Sequence, residues 1–165
     1  MRASTWTFEQ STEVPAPPDA VWTRVVTPEG INHEMRPWMS MSLPRGAEGL
    51  TIDTIELGVP VGRAWIRLFG LIPFDYDHLS VVDLEPGRRF REESTMLSMR
   101  RWVHDRTVEA STDGDATVVT DRIEFSPRWW TRLAAPLLAR VLRAFFGHRH
   151  RRLVAFFAPA DTNKR

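Results

Sequence analysis

Trp102, His104, Arg106 and Asp121 offer the clearest chemistry in the chain, because the first three alternate along one stretch and the fourth follows a turn. Asp113-Gly114, lying between the two stretches, is a strong signal for a two-residue hairpin. Such a turn sets Thr112 opposite Asp115. The register that follows places Trp102 opposite Phe125, His104 opposite Ile123, Arg106 opposite Asp121 and Val108 opposite Val119. Side chains alternate across a strand, so these eight share one face. The other face carries Arg101, Val103, Asp105, Thr107 and Glu109 with Val118, Thr120, Arg122 and Glu124; it is the more polar and belongs in water. A slip of one residue would mix the two sets and turn more charge inward.

An inward Arg106 facing Asp121 has two readings. Buried charges are costly unless paired, so the two can form an ion pair that braces the sheet. They can equally be a polar handle for a carboxylate, carbonyl or hydroxyl on an otherwise greasy ligand. His104, two residues away on the same face, is either a neutral hydrogen-bonding core histidine or a ligand contact and proton-transfer group. On the preceding stretch Phe90 belongs inside, which brings Glu92, of the same parity, in with it. Glu92 near His104 or Arg106 would complete a small polar cluster, and His104 and Glu92 are the candidate acid/base groups.

Other signals lead to no site. The chain lacks cysteine, so disulfides, thiolate nucleophiles and Cys-ligated metals are excluded. His148-x-His150 puts two imidazoles on opposite sides of a helix, where one ion cannot easily be shared, and His33-Glu34 has no second partner in view. Nucleophile-elbow, P-loop and Rossmann patterns are absent, so no metal and no cofactor is expected. The 22 basic and 21 acidic residues of the 165 nearly cancel, which gives no general reason to expect nucleic acid. Charge placement is uneven, however. Arg128, Arg132, Arg140, Arg143, Arg149, Arg151 and Arg152 fall in one stretch without an acid, beside Trp129, Trp130, Phe145 and Phe146. This is either the wet face of a core-packed helix or a surface for an anionic membrane.

The elements that position these groups follow from periodicity. Thr5 to Val14 reads as a strand stopped by prolines, and Pro17-Pro18-Asp19 opens a short helix carrying Val21, Trp22 and Val25. Ile31 to Trp38 suggests a second short helix. Strands are expected at 50–57, 62–69, 78–84, 89–97, 100–110 and 117–125, with Ala64, Ile66 and Leu68 inward. From Arg128 the period becomes helical through Trp130, Leu133, Leu137, Val141 and Phe145, with Pro136 as a possible kink. The fold class is therefore α+β: a curved antiparallel sheet of about six to seven strands around a long C-terminal helix, with two short helices after strand 1. One domain over 1–160 and a disordered tail over 161–165 are expected. A signal-peptide core and any run of roughly 20 apolar residues are absent, which suggests a soluble cytoplasmic protein.

This order resembles the START and Bet v 1-like (SRPBCC, polyketide cyclase/dehydrase-like) superfamily. Glu13-Val14-Pro15-Ala16-Pro17-Pro18-Asp19-Ala20-Val21-Trp22 looks like its first strand-to-helix junction. Arg101 to Arg106 with Thr120 to Phe125 looks like the last two strands of an uncharacterised bacterial branch. The resemblance implies a helix-grip fold around a hydrophobic pocket, and it implies lipid carriers, receptors, cyclases and oxygenase subunits alike. The expected function is binding of a small hydrophobic or amphipathic ligand (lipid, polyketide or aromatic) by Phe90, Glu92, Trp102, His104, Arg106, Asp121, Ile123, Phe125, Trp130, Leu133 and Leu137. The alternatives are a metal-free cyclase or dehydratase using acid/base catalysis, and a membrane-surface or partner-binding protein using the basic helix.

Overall fold

A computed structural model describes residues 5–159, and the tail expected over 161–165 lies outside the described residues. Strand β1 (Trp6–Val14) breaks at the prolines and leads into α1 (Pro18–Val25) and α2 (Pro28–Met35). Proline occupies the first turn of each helix, where its missing N–H costs nothing. The Thr27 hydroxyl caps α2 by accepting from the Gly30 N–H at 3.1 Å. Gly30 also lets α2 meet α1 closely, since a Cβ there would overlap the Arg24 carbonyl oxygen.

Strands β2 (Met39–Met41), β3 (Gly62–Leu68), β4 (Ile72–Leu79), β5 (Val81–Glu85), β6 (Arg89–Met96), β7 (Met99–Ala110) and β8 (Thr117–Pro127) join β1 in one antiparallel sheet. Its order is β1-β8-β7-β6-β4-β3-β2, with β5 also paired to β6. Only Ser80 separates β4 from β5, and β6 pairs with both, so the chain bends there and the sheet curves. Helix α3 (Ala135–Phe157) crosses the concave face and packs against β1 and α2. This is the expected helix-grip architecture, with eight strands.

The β7–β8 register is the one read from the sequence: Trp102 pairs with Phe125, His104 with Ile123, Arg106 with Asp121 and Val108 with Val119. All eight side chains are buried. The connection itself is wider than a two-residue turn, because Ser111 N–H donates to the Ala116 carbonyl and leaves four residues outside the pair. Val103, expected in water, is 2% exposed. Its cross-strand neighbours are Glu93 and Glu124, and Arg101 reaches both carboxylates and so covers it.

Three other expectations are corrected. Residues 50–57 form no strand; Thr51 N–H donates to the Thr54 hydroxyl, and the backbone winds into a 3₁₀ turn at Ile52–Thr54. Helix α3 starts at Ala135 with Pro136 in its first turn, so the proline begins the helix and does not kink it. Leu68, at the end of β3, is exposed while Ala64 and Ile66 are buried.

Two apolar clusters form the core. Val14, Val21, Trp22, Val25, Val108 and Val119 pack with Leu153 of α3. Phe8, Met35, Met99, Trp102 and Phe125 pack with Phe146, whose ring lies 5.7 Å from Phe8 and 6.3 Å from Trp102. Beside this second cluster the sheet and α3 separate.

Candidate functional site: a cavity above a buried ion network

A cavity of about 310 Å³ lies between the sheet and α3. That volume is at the small end of ligand pockets. Its walls are mostly apolar: Met35 and Ile31 from α2, Ile66 from β3, Trp102 from β7, and Leu138, Leu142 and Phe145 from α3. The 42–61 loop closes over it with Leu50, Ile52 and Ile55, and this role explains why an apolar alternation there does not mean a strand. The polar exceptions are few, chiefly Asp75, Asp77, Glu92, His104 and Arg149.

Phe90, Glu92, Trp102 and His104 stand on the cavity wall. Arg106 and Asp121 do not. Both are 0% exposed, and the cavity stops short of them because α2 and α3 bring further charged groups over the pair. Asp121 accepts from Arg106 Nε and Nη2, each at 2.6 Å. The remaining side of the guanidinium donates from Nη1 and Nη2 to Glu34 Oε1 and Oε2 at 2.9 and 3.0 Å. Arg149 closes the other side of Glu34 at 3.0 and 3.1 Å. His104 and His150 each give Nε2 to one Asp121 oxygen at 2.8 Å. The network ties α2, β7, β8 and α3 together, and Arg106 acts as a brace, not a ligand handle.

Its ionisation follows from this geometry. Burial alone would raise the Asp121 carboxyl, but the charge and hydrogen bonds of Arg106, with His104, hold it well below the usual carboxylate range. Glu34 is likewise lowered against its burial by Arg106 and Arg149. Burial is the largest influence on His104 and lowers it; the charge and hydrogen bond of Asp121 oppose this, Arg106 and Arg149 add smaller lowering effects, and the net shift is downward, so the imidazole is neutral. Because ionised Asp121 must receive a proton from Nε2, the bare nitrogen of His104 is Nδ1. Two carboxylates and two guanidiniums balance within the network.

Ile123 and Phe125 are buried in the core behind the cavity and form no part of its wall. Trp130, Leu133 and Leu137 are 51%, 97% and 63% exposed. None of them lines the cavity: the helix begins only at Ala135, and within it Leu137 falls on the outer face. Trp130 and Leu133 therefore lie outside its phase, and the inward stripe starts at Leu138. The basic stripe is also broken. Arg149 points inward to Glu34, while Arg128 and Arg152 donate to the carbonyls of Met96 and His33. No helix among the described residues is long and apolar enough to cross a membrane.

Four functional groups escaped sequence reasoning: Glu34, Asp77, Arg149 and His150. Arg149 and His150 do fall between Phe146 and Leu153 on one helical stripe, a spacing that marks them as inward. Glu34 shares its helix face with Ile31 and Met35 in the same way. Asp77 gives no such signal, because its strand presents Asp75 and Asp77 on the buried side and so looks like a wet face.

The pattern of a family described as a domain of unknown function (DUF8410) matches residues 12–157. No curated protein matches the chain. Among solved structures, protein CV1439 from Chromobacterium violaceum is similar with a TM-score of 0.69 at 16% identity, covering 93% of this chain and 99% of that one. An aromatase/cyclase, ZhuI, from a Streptomyces species gives 0.67 at 13% identity, covering 93% of each chain. A START superfamily protein from Mycobacterium smegmatis gives 0.65 at 9% identity, covering 92% of this chain and 96% of that one. At these identities the likeness speaks for the fold.

Proposed function

The chain belongs to the DUF8410 family, on a helix-grip fold of the START and Bet v 1-like kind, and from that premise we propose that it binds a small hydrophobic or amphipathic molecule between sheet and α3. The observation that carries the reading is the cavity itself: about 310 Å³, apolar on most of its wall, with a few polar groups gathered on β4, β6 and β7. Such a site gains affinity mainly from apolar burial, about 2.5 kcal/mol for each 100 Å² of ligand surface removed from water. Part of that gain is offset by the ordering of both partners. Phe90, Trp102, Leu142 and Phe145 would hold the apolar body, and Asp77, Glu92 and His104 would orient the polar end.

Native mass spectrometry of protein purified from its own host tests this. A co-purifying small molecule is expected, released by denaturation and excluded when Ala64→Trp fills the cavity. Ala64 is 0% exposed and lines the cavity. If the protein carries nothing and no member of a lipid, polyketide and aromatic panel raises its Tm, the reading falls.

A second reading is favoured by one arrangement: Asp77, raised well above the usual carboxylate range, lines the same cavity as His104, whose bare nitrogen is Nδ1. An acid and a base in a water-poor site can drive a cyclisation or dehydration of a polyketide-like substrate. Turnover with a pH–rate profile that vanishes in His104→Asn supports it, and silence across a substrate panel overturns it.

A further inference from the structure

Two carboxyl groups on the cavity wall play no part in the Arg106 network. Asp77 of β4 is 4% exposed and Glu92 of β6 is 8% exposed. Among the described residues neither makes a salt bridge. The Ser94 hydroxyl donates to Glu92 Oε1, while Asp77 Oδ1 is buried without any hydrogen-bond partner. Buried polar atoms are nearly always satisfied, and buried carboxyl groups are nearly always answered by a cation, so Asp77 Oδ1 lacks a donor and the pair lacks a countercharge.

The charged groups around it do not supply either. His104, the cross-strand neighbour of Glu92, is neutral and gives its Nε2 proton to Asp121. Arg149 is the only guanidinium on the cavity wall among the described residues; it is held by Glu34 and lies over the Phe146 ring. Asp75 adds a further carboxylate, but the N–H groups of Tyr76 and Leu97 and the Ser98 hydroxyl satisfy it. Burial first, and then the charge and hydrogen bonding of Glu92, raise Asp77 well above the usual carboxylate range. Two adjacent buried carboxyl groups without a countercharge favour a cation, and the carboxylates and guanidiniums of the network beneath them are already committed to one another.

We propose that Asp77 and Glu92 form the recognition site for the protonated amine of an amphipathic ligand whose apolar body fills the cavity. An ammonium brings three N–H donors and a positive charge. Asp77 Oδ1 accepts one of the donors, and the two carboxyl groups together supply the countercharge. A ligand carboxylate is repelled at the same place, and a hydroxyl satisfies Asp77 Oδ1 but brings no countercharge. The assignment rests on the cavity being a ligand site.

Isothermal titration calorimetry with n-decylamine, n-decanol and decanoate on delipidated protein separates the two ideas. The amine is expected to bind tighter than the alcohol by about tenfold or more, since a charge-assisted contact replaces a neutral one, with decanoate the weakest. The double variant Asp77→Asn/Glu92→Gln keeps both shapes and should bind the amine no more tightly than the alcohol. If that variant does not fold, Glu92→Gln alone is expected to lose the preference. Equal binding of amine and alcohol by the unmodified protein, or a preference that survives these substitutions, overturns the amine site and leaves the cavity reading standing. Failure of all three compounds to bind overturns the cavity reading and the amine site with it.

Discussion

Replacing Arg106 with methionine removes the centre of the buried network while keeping most of its volume. Glu34 and Asp121, 1% and 0% exposed, then lose the donor that bridges them. Arg149 still reaches Glu34, and Asp121 retains only its two histidines. Breaking a buried ion pair from one side typically costs about 3–5 kcal/mol. For a chain of this length that corresponds to a fall in Tm of about 6–20 °C. The pH dependence gives a sharper test than the magnitude. In the intact protein Asp121 and Glu34 are depressed. Their contribution is therefore present above the unfolded carboxylate range, about 4, and lost as pH falls towards their folded values. In Arg106→Met burial dominates Asp121 and raises it, so the sign reverses, and acidification from neutral pH towards about 4 should now stabilise the variant relative to the parent. Urea denaturation at several pH values measures both effects. A loss below about 1 kcal/mol, or a stability difference that does not narrow on acidification, would refute the claim that Arg106 neutralises both carboxylates in a dry interior.

Other substitutions probe different parts of the molecule. Trp102→Ala removes a cavity wall that is 7% exposed, and should cost about 3–5 kcal/mol in urea denaturation while extending binding to bulkier ligands in a thermal-shift panel. Asp77 is raised in the folded state, so its contribution is complete below the unfolded carboxylate range and declines as pH rises towards its folded value. Asp77→Asn should therefore flatten that decline, read as Tm across the acid-to-neutral range, and an unchanged slope would count against a protonated Asp77. Leu133→Ser alters a side chain that is 97% exposed and should shift stability by no more than about 0.5 kcal/mol, with ligand binding intact by calorimetry. A larger loss would return Leu133 to the cavity.

Sequence periodicity reaches those parts of the fold where one rule acts alone. The β7–β8 register was legible because apolar and polar residues alternate cleanly on both strands, and a slip would have buried several charges. The order of elements was legible for the same reason, through the change of period from two to 3.6 and the prolines that punctuate it. The site was legible on β6 and β7, where Phe90 and Trp102 fix the inward parity of Glu92 and His104. It was illegible where one buried charge is answered by another far away in the chain. Arg106 and Glu34 are separated by 72 positions and Arg149 and Glu34 by 115, so neither partner announces the other locally. Asp77 was hidden by a related effect: a strand with acids on its inward face has the pattern of a wet one. Trp130 and Leu133 misled in the opposite sense, since their helical spacing continues past the point where Pro136 actually lets the helix begin.

The ion network has a mechanical consequence. It bolts the C-terminal half of α3 to α2 and to strands β7 and β8, and prising these elements apart would strand four charges. The N-terminal end has no such fastening; Ala135 and Leu138 pack inward there, but through apolar contacts alone, and Leu137 and Val141 are exposed. Amide exchange should accordingly be slowest around the bolt and fastest at the helix start and the 42–61 segment. On the proposed function, a guest is expected to enter and leave past that looser lip, with the bolted end as the fixed jaw.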